Sequence, residues 1–310
     1  MTQVRSSRLL RWLLLALLFA AVVLVVLTKL FHWDDRARLW WQEENTSEQA
    51  RADSVWLPGY RAVIQGKPLK GGLEGQETSD LAYNPVTRTL FTVTGKKPLL
   101  GELSLDGEVL RVIPLLGLEN PEGVAVLPNG NVAVTDERQN SLTIFHLDPQ
   151  THELSTAKLA SFDLGNLGEK SNKGFEGIAW DPAQKRLLLG RERDPMTLFS
   201  WTSDGSPGLT GSMRPLPSEQ LYMRNVSALS VDPRTGHTLV LSAESHLLLE
   251  LDEKGEPVSF ISLLGGLNGL HDKIPRAEGV AIDEQGTIYM VSEPELFYVF
   301  RKLKDDDKGG

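Results

Sequence analysis

The chain has 310 residues, of which 41% are apolar and 24% charged, and it contains no cysteine. That composition supports a packed globular core in a single domain, and the missing Cys excludes disulfides, thiolate metal sites and a cysteine nucleophile. The net charge of −9 is unevenly spread: residues 1 to 33 hold Arg5, Arg8, Arg11 and Lys29 and no acid, so +4 there leaves −13 on the remainder. An acidic body argues against a nucleic-acid partner and suits cations.

Residues 1–11 read as a short basic N-terminus. Trp12 to Thr28 is a run of 17 residues without a charge, bounded by Arg11 and Lys29. At ~1.5 Å per residue it reaches about 25 Å, and snorkelling of Arg11 and Lys29 covers the rest of a ~30 Å hydrocarbon layer. Residues 12–30 are therefore expected to form a single transmembrane signal anchor, with Phe31 and Trp33 in the interface. A cleaved signal peptide fits less well, because AAVVLVVL lacks a small-x-small cleavage pattern. Three arginines before the run, with Asp34 and Asp35 after it, place the N-terminus in the cytoplasm and the rest outside the inner membrane, in the periplasm of a two-membrane cell. Residues 31–54 are polar and rich in helix formers, and are expected to be a juxtamembrane spacer.

From residue 79 onward one unit recurs. Ala277 to Pro294 (AEGVAIDEQGTIYMVSEP) reads as an apolar strand, a tight turn and a returning strand. Pro121 to Arg138 and Phe175 to Arg193 repeat it closely; Ser79 to Gly95 and Ser227 to Glu244 repeat it more weakly. The copies start at 79, 122, 176, 227 and 278, spacings of 43, 54, 51 and 51 residues. A period near 50 with a strand-turn-strand unit marks a propeller in which each copy begins one blade. The expected fold is thus an all-β, five-bladed β-propeller over residues 55–303, preceded by the transmembrane helix and followed by a charged tail, 304–310.

The outer strands lie between the copies. Blade 1 takes Glu102 to Leu105 and Val109 to Ile113, joined by the hairpin signal Asp106-Gly107. Blade 2 takes Leu142 to Leu147 and Lys158 to Phe162; blade 4 takes Leu248 to Leu251 and Val258 to Ile261. Blade 3 has Leu198 to Thr202 followed by a Gly/Ser/Pro-rich stretch. Blade 5 ends with Leu296 to Phe300 and lacks an outer strand, so Tyr60 to Ile64 (YRAVI) is expected to supply it and close the ring.

In such a blade the residue before the first strand and the residue after the second share one mouth of the central channel. The first column holds Ser79, Glu122, Glu176, Ser227 and Glu278. The second holds Gly95, Glu137, Glu192, Glu244 and Glu293. Clustered carboxylates stay protonated, pair with bases or bind a cation. Ca²⁺ takes six to eight oxygens at ~2.4 Å, which glutamate, serine, carbonyl and water can supply. The second column is followed by Lys96, Arg138 and Arg193, which can pair with it or hold an anionic ligand. The connectors over this mouth add Asn172, Lys173, Arg224, Asn225, His271, Asp272 and Arg276, although polar connectors are the norm for exposed loops.

No G-x-S-x-G elbow, P-loop, H-E-x-x-H or Cys-x-x-Cys appears. VTDER (Val134 to Arg138), GFEGIAWDP (Gly174 to Pro182), SAES (Ser242 to Ser245) and IPRAEGVAIDEQGTIYMVSEPELFYVF (Ile274 to Phe300) resemble the bacterial SdiA-regulated, YjiK-type family. The resemblance covers roughly residues 55 to 303. It implies a five-bladed propeller distantly similar to NHL-repeat propellers, with a calcium site; Glu122, Glu176 and Glu278 match its motifs, while Ser79 and Ser227 break the column. The expected function is a membrane-anchored envelope propeller with calcium at one mouth, binding a small ligand or an envelope protein. The alternative is a calcium-dependent hydrolase of lactonase or esterase type, with His271 beside Glu278 or Glu293 as base.

Overall fold

The computed structural model describes residues 3–30, 33–165, 174–193 and 195–303. Phe31, Asn172, Lys173 and the tail 304–310 lie outside them. Three helices come first: α1 (Gln3–Leu30), α2 (Trp33–Asn45) and α3 (Glu48–Ala52). Strand β1 (Tyr60–Pro68) follows. Blade 1 is β2 (Thr78–Asn84), β3 (Thr89–Thr94), β4 (Leu99–Leu103) and β5 (Val109–Leu116). Blade 2 is β6 (Pro121–Val126), β7 (Asn131–Asp136) and β8 (Ser141–His146), then the short β9 (Leu154–Ser155) and β10 (Ala160–Asp163). Blade 3 is β11 (Phe175–Asp181), β12 (Arg186–Arg191), β13 (Thr197–Thr202) and β14 (Arg214–Pro215). Blade 4 is β15 (Ala228–Val231), β16 (Thr238–Ser242), β17 (Leu247–Leu251) and β18 (Pro257–Ser262). Blade 5 is β19 (Ala277–Ile282), β20 (Ile288–Ser292) and β21 (Leu296–Lys302).

Each blade is an antiparallel sheet in chain order, and the fifth is completed by β1 in the order β1-β21-β20-β19. This is the five-bladed all-β propeller. The ring closes as YRAVI suggested: Tyr60 pairs with Lys302 and Pro68 with Leu296, over a strand longer than those five residues and broken by two register shifts. The Tyr60 hydroxyl donates to the Gly286 carbonyl at 2.7 Å, fixing the lower end of the seam. Middle strands such as β3 and β7 are buried along their whole length, because neighbouring blades cover both of their faces. The apolar core accordingly divides into five clusters, one in each space between blades.

Two outer strands differ from expectation. Thr156–Lys158 is a 3-10 turn, so β10 begins two residues later than the sequence suggested. Just before it, β9 leaves blade 2 and pairs in parallel with β5 of blade 1, Leu115 opposite Leu154. In blade 3 the Gly/Ser/Pro-rich stretch yields only the two-residue β14.

Helix α1 covers the expected apolar run, and its side chains from Leu10 to Val26 are exposed. Among the described residues, however, no helix is long and apolar enough to cross a membrane, so the single transmembrane helix expected over 12–30 is present as a helix but not shown as a span. Helix α2 lies along β18, the outer edge of blade 4. Leu39 is 2% exposed and enters the core between blades 3 and 4. Arg36 donates to Ser262 Oγ and to the Ser245 carbonyl, Glu43 accepts the Phe260 N–H at 3.1 Å, and Thr46 donates to the Val258 carbonyl. Trp40 and Trp41 face outward.

Candidate functional site

The mouth is built by a bulge repeated in the inner strands. In β6, β11 and β19 the register slips between Pro121 and Gly123, Phe175 and Gly177, and Ala277 and Gly279, leaving Glu122, Glu176 and Glu278 as the extra residues. Such a bulge re-aims a side chain. The glycine after each glutamate is required by the narrow axis. A Cβ at Gly123 would come within 2.6 Å of the Glu176 carbonyl, and one at Gly279 within 2.5 Å of Asp80 C.

Blades 1 and 4 depart from the pattern. Blade 1 has Asp80 where blades 2, 3 and 5 have glycine, with φ of 45°. Its side chain is fully buried, and it accepts the N–H groups of Leu81 (2.8 Å), Val124 (3.0 Å) and Ile178 (3.4 Å). It stands below the glutamates and ties three inner strands together. Burial drives its carboxyl well above the usual range against the pull of those three donors, and Glu122 pushes it the same way. Blade 4 has Ser227 and Ala228, and Ser227 is held by Asn225, whose Nδ2 donates to its Oγ at 2.9 Å.

The first column converges. Burial pushes Glu122 up to about 7; Ser79 and Asn120 oppose this as donors, while Glu137 and Glu278 add repulsion. Burial likewise raises Glu278 to about 7, opposed by Ser227 and Arg276 and reinforced by Glu293. Glu176 is also raised well above the usual range, first from burial and then from Glu192, Glu278, Glu122 and Glu137. It has no hydrogen-bond or ion-pair partner among the described residues.

The second column is paired. Asn120 Nδ2 donates to Glu122 Oε1 at 2.7 Å and to Glu137 Oε2 at 2.9 Å, and Glu137 Oε1 accepts the Gly174 N–H. Arg193 bridges Glu192, at 2.7 Å, and Glu244 of the next blade. Arg276 bridges Glu293, at 2.6 Å, and Glu278, at 3.4 Å. Lys96 and Arg138 are exposed on the rim, and Lys96 uses its main-chain N–H on the Gln76 carbonyl. His271 is exposed, and its main-chain N–H donates to Gln65 on β1. Among the described residues no contact joins it to Glu278 or Glu293.

Asn120 and Asn225, each two residues ahead of the first column, organise the mouth; Asn225 is one of the connector residues expected over it, whereas Asn120 was not expected there. The signal was there: Asn120-Pro-Glu122 and Asn225-Val-Ser227 share a spacing. Asn225 Oδ1 accepts from Ser242 Oγ and the Glu244 N–H, so it fixes both columns of blade 4.

The donors at this mouth are all oxygen, the chemistry a hard divalent cation takes. Yet no three described His, Asp or Glu side chains stand close enough together to hold one ion. The glutamates repel one another without forming a cage.

A family model described as SdiA-regulated matches residues 52–301. The chain belongs to the SdiA-regulated family. It is also similar to two solved structures. One is in a nidogen/laminin complex, with 17% identity over 75% of this chain and 84% of that one, at a TM-score of 0.49. Another is virginiamycin B lyase from Staphylococcus aureus, with 11% identity over 76% of this chain and 69% of that one, at a TM-score of 0.42.

Proposed function

We propose that this SdiA-regulated protein is a membrane-attached binding propeller whose carboxylate mouth takes a cationic ligand, with Ca²⁺ the first candidate. One observation carries the reading. Three glutamates from three blades face the axis, and among the described residues Glu176 has no hydrogen-bond or ion-pair partner, only the longer-range attraction of Arg193 and Arg276. Recessed like charges are costly unless protons or a cation offset them. For Ca²⁺ the glutamates would have to draw together, with Ser79 and Ser227 as neighbouring oxygens.

Attachment rests on α1. Its apolar side chains from Leu10 to Val26 are exposed, and an apolar surface of that extent calls for lipid or a partner. The flanking charges favour a single-pass anchor with the propeller on the extracytoplasmic side of the inner membrane.

The test is calorimetric titration of the full chain in detergent with Ca²⁺, Mg²⁺ and organic cations, at neutral pH after chelator treatment. Saturable Ca²⁺ binding that Glu176→Gln weakens at least tenfold supports the reading. Heat indistinguishable from buffer for every cation removes it.

A further inference from the structure

We infer that the carboxylate mouth is the face the propeller turns toward the bilayer, so that the surface it meets is lipid and its ligands arrive along the membrane. This rests on the membrane attachment proposed above and adds its direction.

Helix α2 fixes that direction. It starts at the mouth. Arg36 donates to the Ser245 carbonyl at 2.6 Å and the His246 carbonyl at 3.3 Å, in the turn that follows second-column Glu244. Trp33, Asp35 and Arg36 share with Glu244 and Arg224 the wall of a cavity of about 350 Å³. From there α2 runs away from the mouth along β18, reaching Phe260 through Glu43 and Val258 through Thr46. Hence the N-terminal end of α2, the end joined to α1, lies at the mouth side.

The join is short. Leu30 ends α1 and Trp33 begins α2. Three Cα steps span at most about 11 Å, close to a Debye length at physiological salt. A bilayer holding α1 is therefore near the mouth, while the opposite face stands off by the height of a blade.

The absence of cysteine makes the test direct. Single cysteines are introduced in the full chain at exposed turn positions, Lys96→Cys and Arg138→Cys on the mouth side, Val86→Cys and Lys254→Cys on the other. Each is labelled with a donor dye, and the protein is reconstituted into vesicles of phosphatidylethanolamine and phosphatidylglycerol carrying an acceptor on the head group. The faces lie about 20 Å apart along strands of this length, so transfer from positions 96 and 138 should exceed that from 86 and 254 about twofold or more. Equal transfer, or the reverse order, in chains that float with the vesicles overturns the inference and leaves attachment standing. Failure to float overturns the attachment itself, and the inference with it.

Discussion

Asp80 on the first inner strand accepts the main-chain N–H of Val124 on the second at 3.0 Å, and the same oxygen faces the N–H of Ile178 on the third. One side chain thereby replaces, at the axis, the strand-to-strand ladder that separate blades cannot share. Asp80→Ala strips three buried N–H groups of their acceptor, at roughly 1–3 kcal/mol each for a group left unsatisfied. Loss of about 3 kcal/mol or more is expected in chemical denaturation. Asp80→Asn keeps one acceptor oxygen and should lose clearly less; equal losses would show that the acceptor role is unimportant.

Gly279→Ala places a Cβ 2.5 Å from Asp80 C and 2.6 Å from Val291 Cγ2. Backbone on one side cannot yield cheaply, so the expected cost is about 2–4 kcal/mol. Gly211→Ala is the control: open space surrounds it, although its positive φ adds modest strain. Thermal melting should rank the two far apart.

Truncation separates α1 from α2. Removing residues 1–32 should leave the melting temperature of the rest unchanged, because the propeller keeps Leu39 in its core. Removing residues 1–46 uncovers that pocket and the Phe260 N–H, and should cost several degrees. Leu39→Ala in the longer form should lose about 2–4 kcal/mol, the usual range for a buried leucine. Matching melts for the two truncations would mean that α2 adds nothing.

The glutamates predict an unusual pH response in chelator. Glu122 and Glu278 titrate near 7 in the fold, whereas an unfolded glutamate titrates near 4.3. Between those values the folded state binds more protons than the unfolded one, so stability falls as pH rises and levels off above about 7. The cation-free protein should melt several degrees lower at pH 8 than at pH 5. If Ca²⁺ is the ligand, adding it should restore the loss at pH 8 more than at pH 5. Glu122→Gln with Glu278→Gln should flatten the profile.

The blades were legible because a strand buried between two others is a short apolar run, and because a turn of the Asp-Glu-Gln-Gly kind separates it from its partner. The mouth was legible in outline, since the glutamate-glycine pair recurs with the repeat. Asp80 was not. In an alignment of copies it looks like a damaged glycine, and only the spatial meeting of β2, β6 and β11 gives it three donors. The pairing of Arg193 with Glu244 crosses 51 residues, so adjacency showed only half of that bridge. Docking of α2 was hidden for another reason. Leu39 is the single buried residue on that helix, and its other contacts are polar or cationic, such as Arg36 to carbonyls, Glu43 to an N–H and Arg38 over the Tyr222 ring, which leave no apolar periodicity to read.

The seam between β1 and β21 sets an order of events during synthesis. Tyr60 leaves the ribosome 242 residues before its partner Lys302, a wait of about 10 to 50 seconds at 5–20 residues per second. Throughout that interval the nascent chain carries β1 with nothing to pair it, and the ring is an open arc. The last described strand is the one that finishes the molecule, so a stop codon just before Leu296 would release an unclosed arc with two free edges rather than a slightly shortened propeller.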